Sequence, residues 1–324
     1  MTATRVAEAV PLAHALAVEV ARRAGTRALV VKGPSADAHG LRSPRVSADA
    51  DVLISPEGVE ELCAALAGCG WLERPSGDPA GLKPEHSITL IHPAWPCDID
   101  MHVYFPGFLA PAQAVFDMLW ARRQSLALAG VEVDIVDRSS AILIAALHAL
   151  RTPVQTPRHA QEIRGLVDTV LPSMAPDEVN DLVALAGAAG AIDSARPMLD
   201  RLSVELPPPL AHGENPTLDA WRARVGGHGE VLGQWMPVLR RARWRDRPAL
   251  VARVIWPSAS TFRASHPDTP PGWGATVRGR WARVGRGLRA APRVVRGRWL
   301  ARRGTTDASI LIERARWARF VSHV

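Results

Sequence analysis

The chain has 324 residues, 47% of them hydrophobic, enough for one large or two ordinary domains with a buried core. No stretch approaches the roughly 18–20 consecutive apolar residues of a membrane span, and the N-terminus has no basic segment followed by an apolar block, so a secretory leader is not expected. The net charge of +7 conceals an asymmetry: residues 1–205 hold 17 basic and 25 acidic side chains, whereas residues 206–324 hold 22 and 7.

The basic side chains are nearly all arginine; lysine occurs only at Lys32 and Lys83. The three cysteines, Cys63, Cys69 and Cys97, have neither metal-type spacing nor an even framework. They suit buried positions in a reducing compartment, so a cytoplasmic protein is expected.

Thr4 to Ala24 has helical apolar spacing and ends in a basic turn with Gly25 as its stop. The stretch from Ala28 to Ile54 then reads as strand, tight turn, short helix, loop and strand. An apolar run stops at Lys32-Gly33-Pro34-Ser35, and Arg45 precedes Asp49-Ala50-Asp51 at the start of the second strand. Alternate residues of a strand share a face, so Asp49 and Asp51 are expected to project together. Two neighbouring carboxylates are costly unless a cation or a shared proton relieves them, and Mg²⁺ is a hard ion that takes such oxygens together with phosphates.

Pro56 to Ala67 reads as a second helix, with Glu57, Glu60 and Glu61 at its positive end. Trp71 to Glu73 is a short strand, and Arg74 to Pro84 is a Pro- and Gly-rich loop. Two strand-like runs follow, His86 to His92 and Cys97 to Tyr104, joined by Pro93-Ala94-Trp95-Pro96 in the manner of an antiparallel hairpin. In the second run Asp98, Asp100 and His102 alternate with Ile99, Met101 and Val103, giving one polar and one apolar face. Pro111 to Arg123 reads as helix and Val131 to Val136 as strand.

After Asp137 the pattern turns helical: Ser139 to Leu150, Pro157 to Leu171 and Pro176 to Gly190. Beyond Leu206 come Pro- and Gly-containing linker segments, then interleaved tryptophan and arginine from Trp221 to Trp317. Trp256 to Trp273, rich in proline, is expected to be irregular, and Ala275 to Arg303 to be a basic amphipathic helix broken by glycines and Pro292. The expected organisation is an α/β domain over 1–137, a helical domain over 138–205 and a basic Trp/Arg-rich helical region over 206–324. The basic region reads as a structural cover, a nucleic-acid-binding face or a membrane-surface face; no nucleic-acid-binding module is present in the sequence.

If the Asp100 strand lies beside the Asp49–Asp51 strand, three carboxylates converge, a set suited to one or two Mg²⁺ ions clamping a triphosphate for in-line displacement. The Gly33-Pro34-Ser35 turn would open a helix toward the phosphates, with Ser35 adding a hydroxyl and Lys32 or Arg45 a counter-charge. His102 reads either as a neighbour of that site or as a structural histidine. Asp98 is an outer group, His86 and His92 are structural or surface, His148 is a core residue, and Asp37 and His39 are surface residues.

At these positions the sequence resembles the nucleotidyltransferase superfamily, with its DNA polymerase beta-like fold. More narrowly it resembles the bacterial group described as uncharacterised nucleotidyltransferases. Lys32-Gly33, Arg45, Asp49-Ala50-Asp51 and Asp100-Met101-His102 match that group's motifs in order. The region of His148 and Asp168, and the tail segments Trp256-Pro257-Ser258 and Arg263 to Pro267, also resemble it. Pro34 separates Gly33 from Ser35, and Ala50 stands where a larger aliphatic residue is usual; neither change removes a metal ligand. The resemblance implies an α+β fold with a mixed sheet and flanking helices, followed by a helical domain. It implies Mg²⁺-dependent transfer of a nucleoside monophosphate, AMP first among them, from an NTP such as ATP to an acceptor that is not named. The site would be Asp49, Asp51 and Asp100 with Lys32, Gly33, Ser35 and Arg45. The alternative is a non-catalytic protein of this fold that binds nucleic acid or a membrane surface through its basic region.

Overall fold

The computed structural model describes residues 5–74, 86–151, 157–226, 239, 242–266 and 269–302. The chain divides into two compact units, one comprising the described residues up to Leu218 and the other those from Asp219 to 302.

The first unit is α+β and is built on a mixed seven-stranded sheet. Its strands are β1 (Ala28–Val30), β2 (Asp49–Ile54), β3 (Leu72–Glu73), β4 (Ser87–Ile91), β5 (Asp98–His102), β6 (Gln124–Leu128) and β7 (Val131–Ile135), in the order β3-β4-β5-β2-β1-β7-β6. The pairs β2–β5 and β1–β7 are parallel and the rest antiparallel. The expected β4–β5 hairpin is present. The β6–β7 hairpin adds a strand that the sequence reading did not include; Ala129 and Gly130 turn it, both with positive φ (51° and 78°).

Alternation along the strands divides the sheet into two faces. Val52, Ile54, Ile99 and Met101 pack under α1 (Val6–Arg23), whose inward side is mostly alanine and valine: Ala9, Val10, Ala13, Ala17, Val18 and Ala21. Those small side chains let the helix lie close to the strands. Leu62 and Leu66 of α3 (Val59–Gly68) and Trp71 extend the same core. The short α2 (Gly33–Ala38) follows β1, and α4 (Ala112–Ala121) precedes β6.

The helical half begins with α5 (Arg138–Leu150), most of whose residues are buried. Asp137 caps it, its Oδ1 accepting from the Ser140 N–H at 3.0 Å. Arg122 donates to Asp137 and to Asp181 of α7 (Pro176–Ala188), and Ser139 donates to Asp181 at 2.6 Å, so one ionic network ties the sheet's last turn to two helices. α6 (Pro157–Gly165) and α8 (Ile192–Leu199) complete the packing around α5. α9 (Pro216–Gly226) follows in the chain.

The second unit contains α10 (Arg247–Ile255), α11 (Ala259–Ser265) and α12 (Trp273–Arg302). Two expectations are corrected here. The proline-rich segment from Trp256 to Trp273 holds a helix, α11, capped by Ser258, because its prolines flank the helical residues rather than interrupt them. α12 continues through Pro292 rather than breaking there. Buried Phe262 of α11 sits where a side chain at Gly279 would be, a Cβ there coming within 2.6 Å of its ring, so the glycine permits the close approach. Arg263 donates to Thr276 Oγ1 at 3.1 Å. Trp256 and Trp281 meet edge to face at 5.4 Å. Trp221 is buried and Trp244 is exposed, while Trp235 lies outside the described residues. Among the described residues no helix is long and apolar enough to cross a membrane.

Candidate active site

The face of the sheet opposite α1 carries the polar chemistry. In the parallel β2–β5 pair, Asp49 lies opposite Asp98, Asp51 opposite Asp100 and Leu53 opposite His102. Partners in register share a face, so Asp49, Asp51, Asp98, Asp100 and His102 all project to one side.

Asp51, nearly fully buried, is the centre of the cluster. Lys32 Nζ lies 2.6 Å from its Oδ1, and His102 Nε2 lies 2.9 Å from the same oxygen. His102 Nε2 is also 3.3 Å from Asp100 Oδ2, while Thr89 Oγ1 donates to Asp100 Oδ1 at 3.0 Å. Facing two carboxylates, Nε2 carries the proton and donates. Lys32 Nζ stands 3.0 Å from Nε2, so two donors converge on one oxygen. Phe105 backs the group: its ring stacks on His102 at 4.6 Å and lies 5.6 Å beneath the Lys32 ammonium.

Burial would raise the Asp51 carboxyl, but the Lys32 charge and the His102 bond outweigh it and hold the group ionised, far below the usual carboxylate range. Asp49 behaves oppositely. Burial raises it, the like charges of Asp51 and Asp100 add to that, and Lys32 offsets only part. Asp98 pairs outward with Arg74 at 2.6 Å. Cys97, beside it, is pushed up to about 11 by burial and then by Asp98 and Asp49, which leaves it an inert thiol.

The backbone of β2 is also held from behind. The Asp51 N–H donates to His14 Nε2 at 3.1 Å, and His14 Nδ1 donates to Val10 O at 2.9 Å. These bonds require the neutral imidazole with its proton on Nδ1. Burial agrees with them, lowering the His14 pKa despite the Val10 bond and the Asp51 charge. Lys32 itself sits at φ 57°, ψ −123°, a conformation that costs a non-glycine residue about 1–3 kcal/mol. The strained backbone turns the chain from β1 into α2 and aims the amine at Asp51.

The other residues singled out in the sequence lie as follows. Gly33 and Ser35 are in the first turn of α2. Ser35 is fully buried, and its Oγ has no partner among the described residues. Arg45 is not on the aspartates; it is ion-paired with Glu162 of α6. His86 Nε2 lies 3.3 Å from Arg151 Nη1, and its ring is 6.2 Å from that of His102. His92 tilts against Trp71 at 5.4 Å. His39, read as a surface residue, is half-buried and donates to Val136 O at 2.8 Å. The sequence reading did not single out His14, Thr89, Phe105, His159 or Glu162. An isolated histidine on the apolar face of an otherwise Ala-rich helix was the available signal for His14.

Asp51, Asp100 and His102 each offer a ligand atom within 4.8 Å of the others. Two of these donors are carboxylates, one held ionised and one fixed by a hydroxyl, which suits a hard divalent cation; Asp49 shares the face but is not in this group.

No family model matches the chain, and no curated protein matches it. Among solved structures it is similar to the antibiotic-resistance factor ANT(2″)-Ia, at 15% identity and a TM-score of 0.38, over 58% of this chain and 96% of that one. It is also similar to an antigenic nucleotidyltransferase-like protein from Paracoccidioides brasiliensis, at 14% identity and a TM-score of 0.36, over 59% of this chain and 93% of that one.

Proposed function

We propose that the chain is a divalent-metal-dependent nucleotidyltransferase that moves a nucleoside monophosphate, AMP in the first instance, from an NTP to a hydroxyl-bearing acceptor. The observation that carries this reading is the parallel register that sets Asp51 opposite Asp100 on one sheet face, with Lys32 and His102 sharing an Asp51 oxygen. Asp49, Asp51 and Asp100 would hold one or two Mg²⁺ ions, which supply charge neutralisation at the phosphates and a more acidic acceptor hydroxyl.

The chain's own residues do the rest. Asp100, fixed by Thr89 on one oxygen and by His102 on the other, accepts the acceptor's proton. The acceptor oxygen forms a bond to the α-phosphorus as the bond to the α–β bridging oxygen breaks, and pyrophosphate leaves with that electron pair. Lys32 supplies cationic charge to the phosphates, and the Gly33–Ser35 turn provides backbone N–H groups at the start of α2. Arg45, held by Glu162, stands by as a further cation.

The test is incubation of the purified protein with each α-labelled NTP, Mg²⁺ and fractionated cell extract. Label should pass to one acceptor fraction with ATP preferred, and the Asp51→Asn and Asp100→Asn variants should lose transfer by about 10³-fold or more, since several kcal/mol of charge stabilisation go with each ligand. Absence of transfer with every NTP, or transfer undiminished in both variants, rejects the enzyme.

A second reading is a non-catalytic protein that binds a polyanion or an anionic membrane surface through its basic region. It is favoured by α12, where Trp273 is 82% and Trp281 63% exposed on an arginine-rich helix.

A further inference from the structure

Apart from the carboxylate cluster, a different set of metal-type donors lies in the helical half of the same unit. His148 of α5 and His159 and Glu162 of α6 each offer a ligand atom within 4.8 Å of the others. The two Nε2 atoms are 3.1 Å apart, with the rings edge to face at 82°. Zn–N bonds of ~2.0–2.1 Å at a tetrahedral angle place two nitrogens about 3.3 Å apart, so the pair is almost at ligand spacing.

Glu162 lies three residues after His159 on α6, hence on the same helix face. Its two guanidinium partners, Arg45 and Arg158, both contact Oε1, and among the described residues no bond is made to Oε2. Burial would raise this carboxyl, but the two arginines outweigh it and keep it ionised. They also fix its orientation, as outer partners of a metal ligand do. His148 is held neutral, first of all by burial. A neutral imidazole is the form that ligates. Its Nδ1 is buried with no partner among the described residues.

We propose that His148, His159 and Glu162 form a second metal site, separate from the Asp49–Asp51–Asp100 set, that takes a borderline transition ion such as Zn²⁺ rather than Mg²⁺. Two imidazoles and one carboxylate are a donor set for zinc-like ions; Mg²⁺ prefers oxygen alone. Three protein ligands leave one tetrahedral position for water. The ion would clamp α6 to α5 and, through Glu162, fix the position of Arg45. This site stands independently of the proposed transfer reaction.

The experiment uses full-length protein freed of metal with EDTA, then dialysed. Its melting temperature is read with and without equimolar ZnCl₂, and Co²⁺ is added in a parallel sample as a spectroscopic probe. Zn²⁺ should raise the melting temperature of the native protein and of Asp51→Asn alike, and Co²⁺ should give visible bands of tetrahedral intensity in both. His159→Ala should lose the shift and the bands. Mg²⁺ should produce no shift in Asp51→Asn. Should His159→Ala fail to fold, Glu162→Gln makes the comparison, with Zn²⁺ affinity expected to drop at least about tenfold, the lower end seen even for outer partners. No response to Zn²⁺ in the native protein, a response that survives His159→Ala or is undiminished in Glu162→Gln, or one abolished by Asp51→Asn overturns the site.

Discussion

The Lys32 ammonium lies 2.6 Å from Asp51 Oδ1, in a contact where both side chains are largely shielded from water. Removing one partner of such a pair strands the other, at a cost of about 3–5 kcal/mol when burial is complete. Lys32 retains some exposure, so Lys32→Met is expected to lose about 3 kcal/mol in urea melts without metal. Mg²⁺ should restore part of that loss, since a cation on Asp51 replaces the missing charge. An unchanged melt, or one that Mg²⁺ does not improve, would contradict this account of the pair.

Ser35 separates two roles for one hydroxyl. Its buried Oγ has no partner among the described residues, so Ser35→Ala should leave the stability of the ligand-free protein unchanged or slightly raised. If the hydroxyl meets a phosphate once nucleotide is bound, the same variant should weaken NTP affinity by ~0.5–1.5 kcal/mol. Calorimetric titration with ATP and Mg²⁺ on both proteins reads the two effects; unaltered affinity removes Ser35 from the nucleotide site.

Mg²⁺ binding should strengthen with pH. Burial and the neighbouring carboxylates raise Asp49, so above the ordinary aspartate range it still carries a proton that a metal must displace. Raising the pH removes that proton and the competition with it. Titrations at pH 5 and pH 7 should therefore show tighter binding at pH 7, and the difference should shrink in Asp49→Asn.

His14 links stability to pH in the opposite chemical sense to a salt-bridged histidine. Its folded pKa lies below that of the unfolded chain, because the fold requires the neutral ring. As pH falls through about 6.5 the unfolded state takes up a proton that the native state refuses, and stability drops by up to about 1.4 kcal/mol per pH unit. His148 adds to the same trend. Urea midpoints in EDTA should fall between pH 7.5 and pH 5.5, and His14→Gln, whose side-chain oxygen offers the same acceptor, should flatten the slope.

For α12, binding to RNA and to anionic vesicles at two salt concentrations separates a cover from a partner-binding face. Each neutralised phosphate releases counter-ions, so polyanion binding should weaken steeply with salt. Trp256, Trp281 and Arg280 already engage one another within the unit, which argues that part of the tryptophan content is structural. If full-length protein binds neither ligand, or binds without salt dependence, the second reading falls.

The local patterns were legible where one strand or helix decides its own faces. The alternation in Asp49–Ile54 and Asp98–His102 announced a polar face on each, and the hairpin around Pro93–Pro96 followed from its turn residues. The parallel register that sets Asp51 against Asp100 joins segments 49 residues apart, and no local propensity specifies it. The sequence offers Lys32 or Arg45 as a counter-charge, but it does not announce their protein partners: Lys32 pairs with Asp51, and Arg45 with Glu162, 117 residues away. β6 escaped notice because its side chains are largely exposed and its turn is Ala-Gly rather than an Asn-Gly signal.

The β2–β5 register has one further consequence. The residues that bear the chemistry alternate with Val52, Ile99 and Met101, which form the hydrophobic core on the other face. Sliding β5 by a single position would thrust Asp98, Asp100 and His102 under α1 and lift Ile99 and Met101 into their place. Such a molecule would not be a weakened form of this protein; it would not be a folded one. Assembly of the core therefore inspects the site: every copy that completes its sheet emerges with the carboxylates already facing one another, and misregistered copies are discarded by the same hydrophobic energy that builds the rest.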